Sequence, residues 1–181
     1  MTLTTEARFA GVWRVTREIE DHAGGPSGRF RGIARLTPEP GGLRYAEQGW
    51  LTLGAQKMQA RRVYLWRFEG ETGVAVLFED GRPFHRFDWS RAESRAEHRC
   101  EPDHYAVRYS FARESWHQHY RVTGPFKDYE THARYLRVTP DAPLVGDGRS
   151  AYRALGVEQP GAADPDADAA NADNSDEGDE A

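Results

Sequence analysis

Cysteine is nearly absent from this chain of 181 residues. Cys100 stands alone, which excludes an internal disulfide and any zinc module built on several cysteines, and accords with a reducing compartment. Long apolar runs are absent too. The longest, VAVLF at 74–78, is far too short to span a bilayer as a helix, and the opening MTLTTEARFAGVW has no basic stretch followed by an apolar one of the secretory kind. A cytoplasmic location without a membrane span is expected. Lysine is scarce: of 24 basic residues only Lys57 and Lys127 are lysine, and no basic block with interleaved aromatics marks a nucleic-acid surface. No phosphate loop, dinucleotide fingerprint or nucleophile motif occurs, so no cofactor is assigned and a catalytic reading has no motif to start from.

The net charge of −5 is unevenly distributed. Residues 159–181 hold eight acids and no base, which leaves the first 158 residues with 21 acids against 24 bases, a mildly basic body. That acidic tail has almost no large apolar side chain with which to offset its ordering entropy, so it is expected to be disordered and solubilising. The length allows one domain. The expected organisation is a lead-in at 1–10, a folded domain at 11–140, an extension at 141–158 containing the helix-compatible RSAYRALG, and the tail.

From Gly11 to Thr139 apolar residues recur with period two, and turn signals break the pattern every eight to fifteen residues. WRVTREI, RFRGIARL, LRYAEQGWL, ARRVYLWRF, GVAVLF, PFHRFDW, RAEHRC, YAVRYSF, WHQHYRVT and DYETHARYLRV make ten strands joined by mostly short connections, as successive antiparallel neighbours require. Ten such strands leave exposed edges unless the sheet closes. The fold class expected is all-β, an up-and-down antiparallel barrel, with a two-sheet sandwich as the alternative.

Gly11-Val12-Trp13 at the head of the first strand, with Arg137 on the last, resembles the lipocalin and fatty-acid-binding (calycin) barrels. In those families the first-strand Trp closes one barrel end and a late Arg stacks over it. The fatty-acid-binding barrels also carry an Arg-x-Tyr pair that holds a carboxylate; here the order is reversed, Tyr135-Leu136-Arg137, which still puts both on one face. The resemblance thus implies either a stacking or a ligand-binding role for Arg137. The body also resembles an uncharacterised bacterial family through GLRYAEQG, DGRPFHRFD, HRCEPDHYAVRY and GPFKDYETHARYLR, over nearly all of residues 9–139; this implies the fold and no activity.

Alternation places an unusually polar set on the inner face: Arg17, Glu47, Arg62, Tyr64, His85, His98, Tyr109, Gln118, Tyr120 and Tyr135. A core that only needed filling would use aliphatic side chains, and buried charges must be paired or met by a ligand. Three inner cations, Arg17, Arg62 and Arg137, face one inner anion, Glu47. The excess points to a small anionic, partly apolar ligand held by Arg17, Glu47, Arg62, Tyr64, His85, His98, Tyr109, Tyr120, Tyr135 and Arg137. Two alternatives are a small enzyme moving a proton between His85, His98 and Glu47, and a protein-binding scaffold with a filled core.

His98, Cys100 and His104 lie close enough in sequence to raise a metal site, but EPD turns the chain before His104, so the three meet only at a rim. No metal is expected. His98 reads as an interior hydrogen-bonding residue, Cys100 as a small core residue, and His117 and His119 as exposed on the opposite face of the ninth strand. His85 and His98 are expected to be neighbours on paired strands. A haem held through a His is a further alternative, with no residue singled out as its ligand.

Overall fold

A computed structural model describes residues 4–138. The expected helix at 149–156 and the acidic tail at 159–181 lie outside the described residues. One short helix, α1 (Thr5–Phe9), precedes ten strands: β1 (Gly11–Asp21), β2 (Gly28–Glu39), β3 (Gly42–Leu53), β4 (Gln56–Glu69), β5 (Gly73–Phe78), β6 (Pro83–Asp88), β7 (Glu93–Cys100), β8 (Asp103–Ala112), β9 (Ser115–Thr123) and β10 (Asp128–Arg137). They form one antiparallel sheet in the order β6-β5-β4-β3-β2-β1-β10-β9-β8-β7. First and last strands pair, Trp13 opposite Arg137 and Val15 opposite Tyr135, so the sheet wraps into a nearly closed barrel. Its seam lies between β6 and β7, the two ends of that order, which corrects the expectation that these strands hydrogen-bond to each other.

Inward residues follow the sequence period. Trp13, Val15 and Arg17 are buried on β1 while Arg14, Thr16 and Glu18 face water, and β2 buries Phe30, Gly32, Ala34 and Leu36. Gly32 and Gly49 are register partners between β2 and β3. A Cβ on either would stand within 3 Å of the Phe30 ring and of backbone across the ladder, so the missing side chains let Phe30 fold back over both.

Two differences from the expected elements have physical causes. The hairpin joining β3 to β4 is longer than expected, with only Gly54 and Ala55 between strands, because residues 54–59 project beyond the barrel and are exposed on both faces, so no alternation marks them. Helix α1 is a single turn, too short to show a period. Thr4 caps it, accepting from Ala7 N at 3.1 Å.

That turn closes one barrel end. Phe9 is fully buried and meets Trp66, Phe87, Trp89, Phe111 and Trp116 edge-on at 5.4–6.3 Å. Trp13 Nε1 donates to Phe9 O at 2.8 Å, and the Thr5 hydroxyl accepts from Trp89 Nε1 and donates to Glu71 O. Arg137 lies over the Trp13 ring at 4.3 Å and donates to Ala10 O at 2.9 Å and to Arg8 O. Among the described residues no helix is long and apolar enough to cross a membrane.

Candidate functional site

Above the aromatic plug the interior changes character. Arg17 (β1) and Glu47 (β3) form a buried two-pronged ion pair, Nη1 to Oε1 at 2.8 Å and Nη2 to Oε2 at 2.7 Å. The Tyr45 hydroxyl donates to Glu47 Oε2 at 2.5 Å, and Tyr135 lies 3.1 Å from both Tyr45 OH and Arg17 Nη2. The chain of polar contacts runs on from Tyr135 to Gln118 Oε1 at 3.3 Å. From Gln118 Nε2 it reaches Tyr109 and Tyr120 at 2.8 and 2.9 Å, and from Tyr109 it ends on His85 Nε2 at 2.6 Å. Gly32 and Gly49 serve this layer indirectly, because the Phe30 ring that fills their space carries the Arg17 guanidinium at 5.1 Å.

The charges in this layer are fixed. Burial pushes the Glu47 carboxyl up, but the Arg17 guanidinium outweighs it and holds the group down at about 2. Burial, with His98 adding to it, drives His85 down to about 3, so its imidazole is neutral at physiological pH. Burial raises Tyr45, Tyr109, Tyr120 and Tyr135 above the usual phenol range, Tyr135 to about 12.

Toward the other barrel end lies a cavity of about 460 Å³. The ends of β1 and β3 and the starts of β2 and β4 line one side with Ile19, Phe30, Leu51, Leu53 and Ala60; Phe84, Tyr105, Tyr120, Val122, Tyr129 and Thr131 line the other. Arg17 and Glu47 form part of its floor, while Asp21 and the exposed Arg61 sit at the rim. Arg62 enters from β4, over the Tyr64 ring at 5.8 Å. It also borders a second void of about 10 Å³, room for one water, enclosed by the polar layer and by Trp66, Val76 and Trp116. Among the described residues Arg62 has no hydrogen bond or ion pair; it lines the cavity, with the Tyr64 ring and, from farther off, the Glu47 carboxylate favouring its charged form.

The structure therefore divides the ten expected ligand-binding residues. Arg17, Glu47, Arg62, Tyr64 and Tyr120 line the main cavity; Tyr109 and Tyr135 border the small void below it. His85 sits behind Phe84, and His98 packs on Phe84 from β7, with ring centroids at 4.5 and 5.1 Å. The two imidazoles thus flank one ring across the seam. Arg137 lies at the closed end over Trp13, the stacking alternative, away from the cavity. Cys100 is exposed rather than in the core, because it ends β7 beyond the packed layer. His104 turns toward Glu97, 3.5 Å away, while His98 turns in, so the two diverge.

Some contacts of this layer have no signal in the sequence. Tyr45 and Gln118 fall on the inner face by alternation, but nothing in the sequence shows that they link the Arg17–Glu47 pair to His85. Phe84 and His85 are adjacent yet both buried, because a register shift at Val76/Leu77 interrupts the β5–β6 ladder. A strict period of two assigns only one of them inward. His119, expected to be exposed, is half-buried and stacked on His132.

Among curated proteins none matches the sequence. Solved structures share the fold at low identity. The S-type phycobiliprotein lyase CPES from Guillardia theta is 10% identical over 77% of this chain and 95% of its own, with a TM-score of 0.57. A protein of unknown function from the DUF3598 family of Nostoc punctiforme is 11% identical over 76% of this chain and 51% of its own, with a TM-score of 0.50. The sequence itself matches a family model over residues 9–137, the whole barrel with its Phe9 plug, and the chain belongs to that family, DUF6314, a family of unknown function.

Proposed function

We propose that this barrel binds a small molecule with an anionic head and an apolar or aromatic body, the head meeting Arg62 and the body lying along the apolar cavity wall. The observation that carries this reading is the charge balance. Arg17 is paired by Glu47 within the floor, whereas Arg62 has no ion pair among the described residues and shares the pull of that one carboxylate from farther off; with Asp21 and Arg61 at the rim, three cations line the cavity against two acids. A carboxylate or phosphate would redress that balance with charge-assisted hydrogen bonds, with the Tyr64 and Tyr120 hydroxyls alongside. The volume, about 460 Å³, is that of an ordinary small-ligand pocket. The fold shared with a phycobiliprotein lyase is compatible with this use of a barrel interior.

Proton-transfer catalysis has less support. Glu47 is locked on Arg17 and held at about 2, and His85 at about 3, so neither is poised near neutrality. A filled-core scaffold is disfavoured by the cavity. The test is native mass spectrometry of the purified chain followed by denaturing extraction. A reproducible small anion released on unfolding supports the proposal. Ligand-free protein that also fails to bind 1-anilinonaphthalene-8-sulfonate or dodecanoate counts against it.

A further inference from the structure

On the outer wall, back to back with the cavity, three imidazoles surround one carboxylate. His119 (β9) and His132 (β10) are register partners whose rings stack at 4.3 Å and 7°. Glu130, two residues before His132 on the same face, places Oε2 2.8 Å from His119 Nε2 and 3.8 Å from His132 Nε2. Its Oε1 lies 3.4 Å from Nε2 of His22, in the turn after β1.

We propose that this cluster is a binding site for a late first-row divalent metal ion of the zinc class, held by His119, Glu130 and His132 with water as fourth ligand. Ligand atoms about 2.0–2.1 Å from a tetrahedral zinc stand about 3.4 Å from one another, and the spacings from Glu130 Oε2 to the His119 and His132 Nε2 atoms, 2.8 and 3.8 Å, bracket that value. Imidazole with a single carboxylate selects zinc, copper, nickel or cobalt over the oxygen-seeking magnesium and calcium. The site is partly shielded yet reachable: the His119 and Glu130 side chains are 23% and 24% exposed and that of His132 59%.

The surrounding charges call for a cation. Glu20 sits directly opposite Glu130 across the β1–β10 ladder, a like-charge pair that destabilises a sheet unless something neutralises it. Arg121 is the register partner of Glu130 on β9, but its guanidinium is spent elsewhere, donating to Val122 O and Tyr129 O and pairing with Asp128. Glu20 also joins His22 and Glu130 in a second ligand triad, so it stands ready behind the first. A metal here would tie β9 to β10. Tyr129 and Thr131, the neighbours of Glu130, line the cavity mouth, so the same ion would stiffen that wall.

The test uses the full chain, stripped with EDTA and titrated calorimetrically with ZnCl2 in excess Mg2+, so that sites made only of carboxylates are already filled. Cobalt(II) absorption in the visible reports coordination independently. One zinc per chain at micromolar affinity or tighter is expected, with a rise in thermal midpoint on binding. His119→Ala and Glu130→Gln, each checked for folding by circular dichroism, should weaken binding roughly tenfold or more and abolish the rise, whereas Cys100→Ser should leave both unchanged. Absence of stoichiometric binding by the unmodified chain overturns the proposal. So does binding that survives both His119→Ala and Glu130→Gln or is lost in Cys100→Ser.

Discussion

Glu47 and Arg62 are register partners across β3 and β4, yet the Glu47 carboxylate forks onto Arg17, two strands away, and leaves Arg62 to the cavity. One acid thus fixes the roles of two arginines. Glu47→Gln should cost about 3–5 kcal/mol in urea unfolding, because Arg17 becomes a buried charge without a counterion. Replacing the pair together, Arg17→Met with Glu47→Leu, should recover most of that loss, since both desolvated charges then disappear.

Acid should destabilise the barrel in two overlapping stages. His85 is held at about 3 when folded against an ordinary 6.5, so unfolded chains take up a proton that folded ones refuse. Its contribution is complete above pH 6.5 and drains away as the pH falls toward 3. Glu47 is held at about 2 against 4.5, so its contribution is complete above pH 4.5 and is lost as the pH falls toward 2. Urea midpoints from pH 7.5 to pH 3.5 should therefore decline from about pH 6.5 downward and more steeply below about 4.5. His85→Gln should remove most of the first stage, leaving the smaller share of His117, which burial and Arg134 also hold down, and should leave the second.

The closed end should separate from the ligand site by mutation. Trp13→Ala opens a cavity beneath Phe9 and should cost about 3–5 kcal/mol. Arg137→Met removes the donors to Ala10 O and Arg8 O and should cost about 1–3 kcal/mol. Affinity for an anionic probe, measured on the folded fraction by fluorescence titration, should be unchanged in Arg137→Met.

Gly32→Ala should destabilise by roughly 1–3 kcal/mol, although it adds one methyl. Its Cβ would meet Gln48 O and the Phe30 ring, and displacing that ring disturbs the support under Arg17. Phe30→Leu in the same background should lessen the penalty, measured in a double-mutant cycle.

The barrel was legible because nearly every strand has one wet and one dry face, so period two records both the strand and its orientation. The polar floor was legible in kind for the same reason: Arg17, Glu47, Tyr109, Tyr120 and Tyr135 fall inward by count. What alternation cannot carry is distance along the barrel axis. Arg62 and Arg137 both point inward, yet one reaches the cavity and the other the plug, and only the register of β1 against β10 and of β3 against β4 separates them. Periodicity fails outright where the ladder shifts, which hid Phe84, and where one turn of helix stands alone, which hid Phe9 as the closing residue. The pairing of His119 with His132 was hidden because the contact joins two strands, and no spacing within either one encodes it.

Arg62 lines the cavity without an ion pair among the described residues, and its role as the anchor of an anionic head is checked by calorimetric titration of the full chain and of Arg62→Met with dodecanoate and with neutral dodecanol. Dodecanoate should bind the unmodified chain and lose roughly 1.5–3 kcal/mol in the variant, the worth of a charge-assisted hydrogen bond. Dodecanol should bind both alike, and the urea midpoint should stay level or rise as an unpaired charge leaves the interior. Equal dodecanoate affinity in the two proteins, or a barrel that unfolds when Arg62 is replaced, would contradict it.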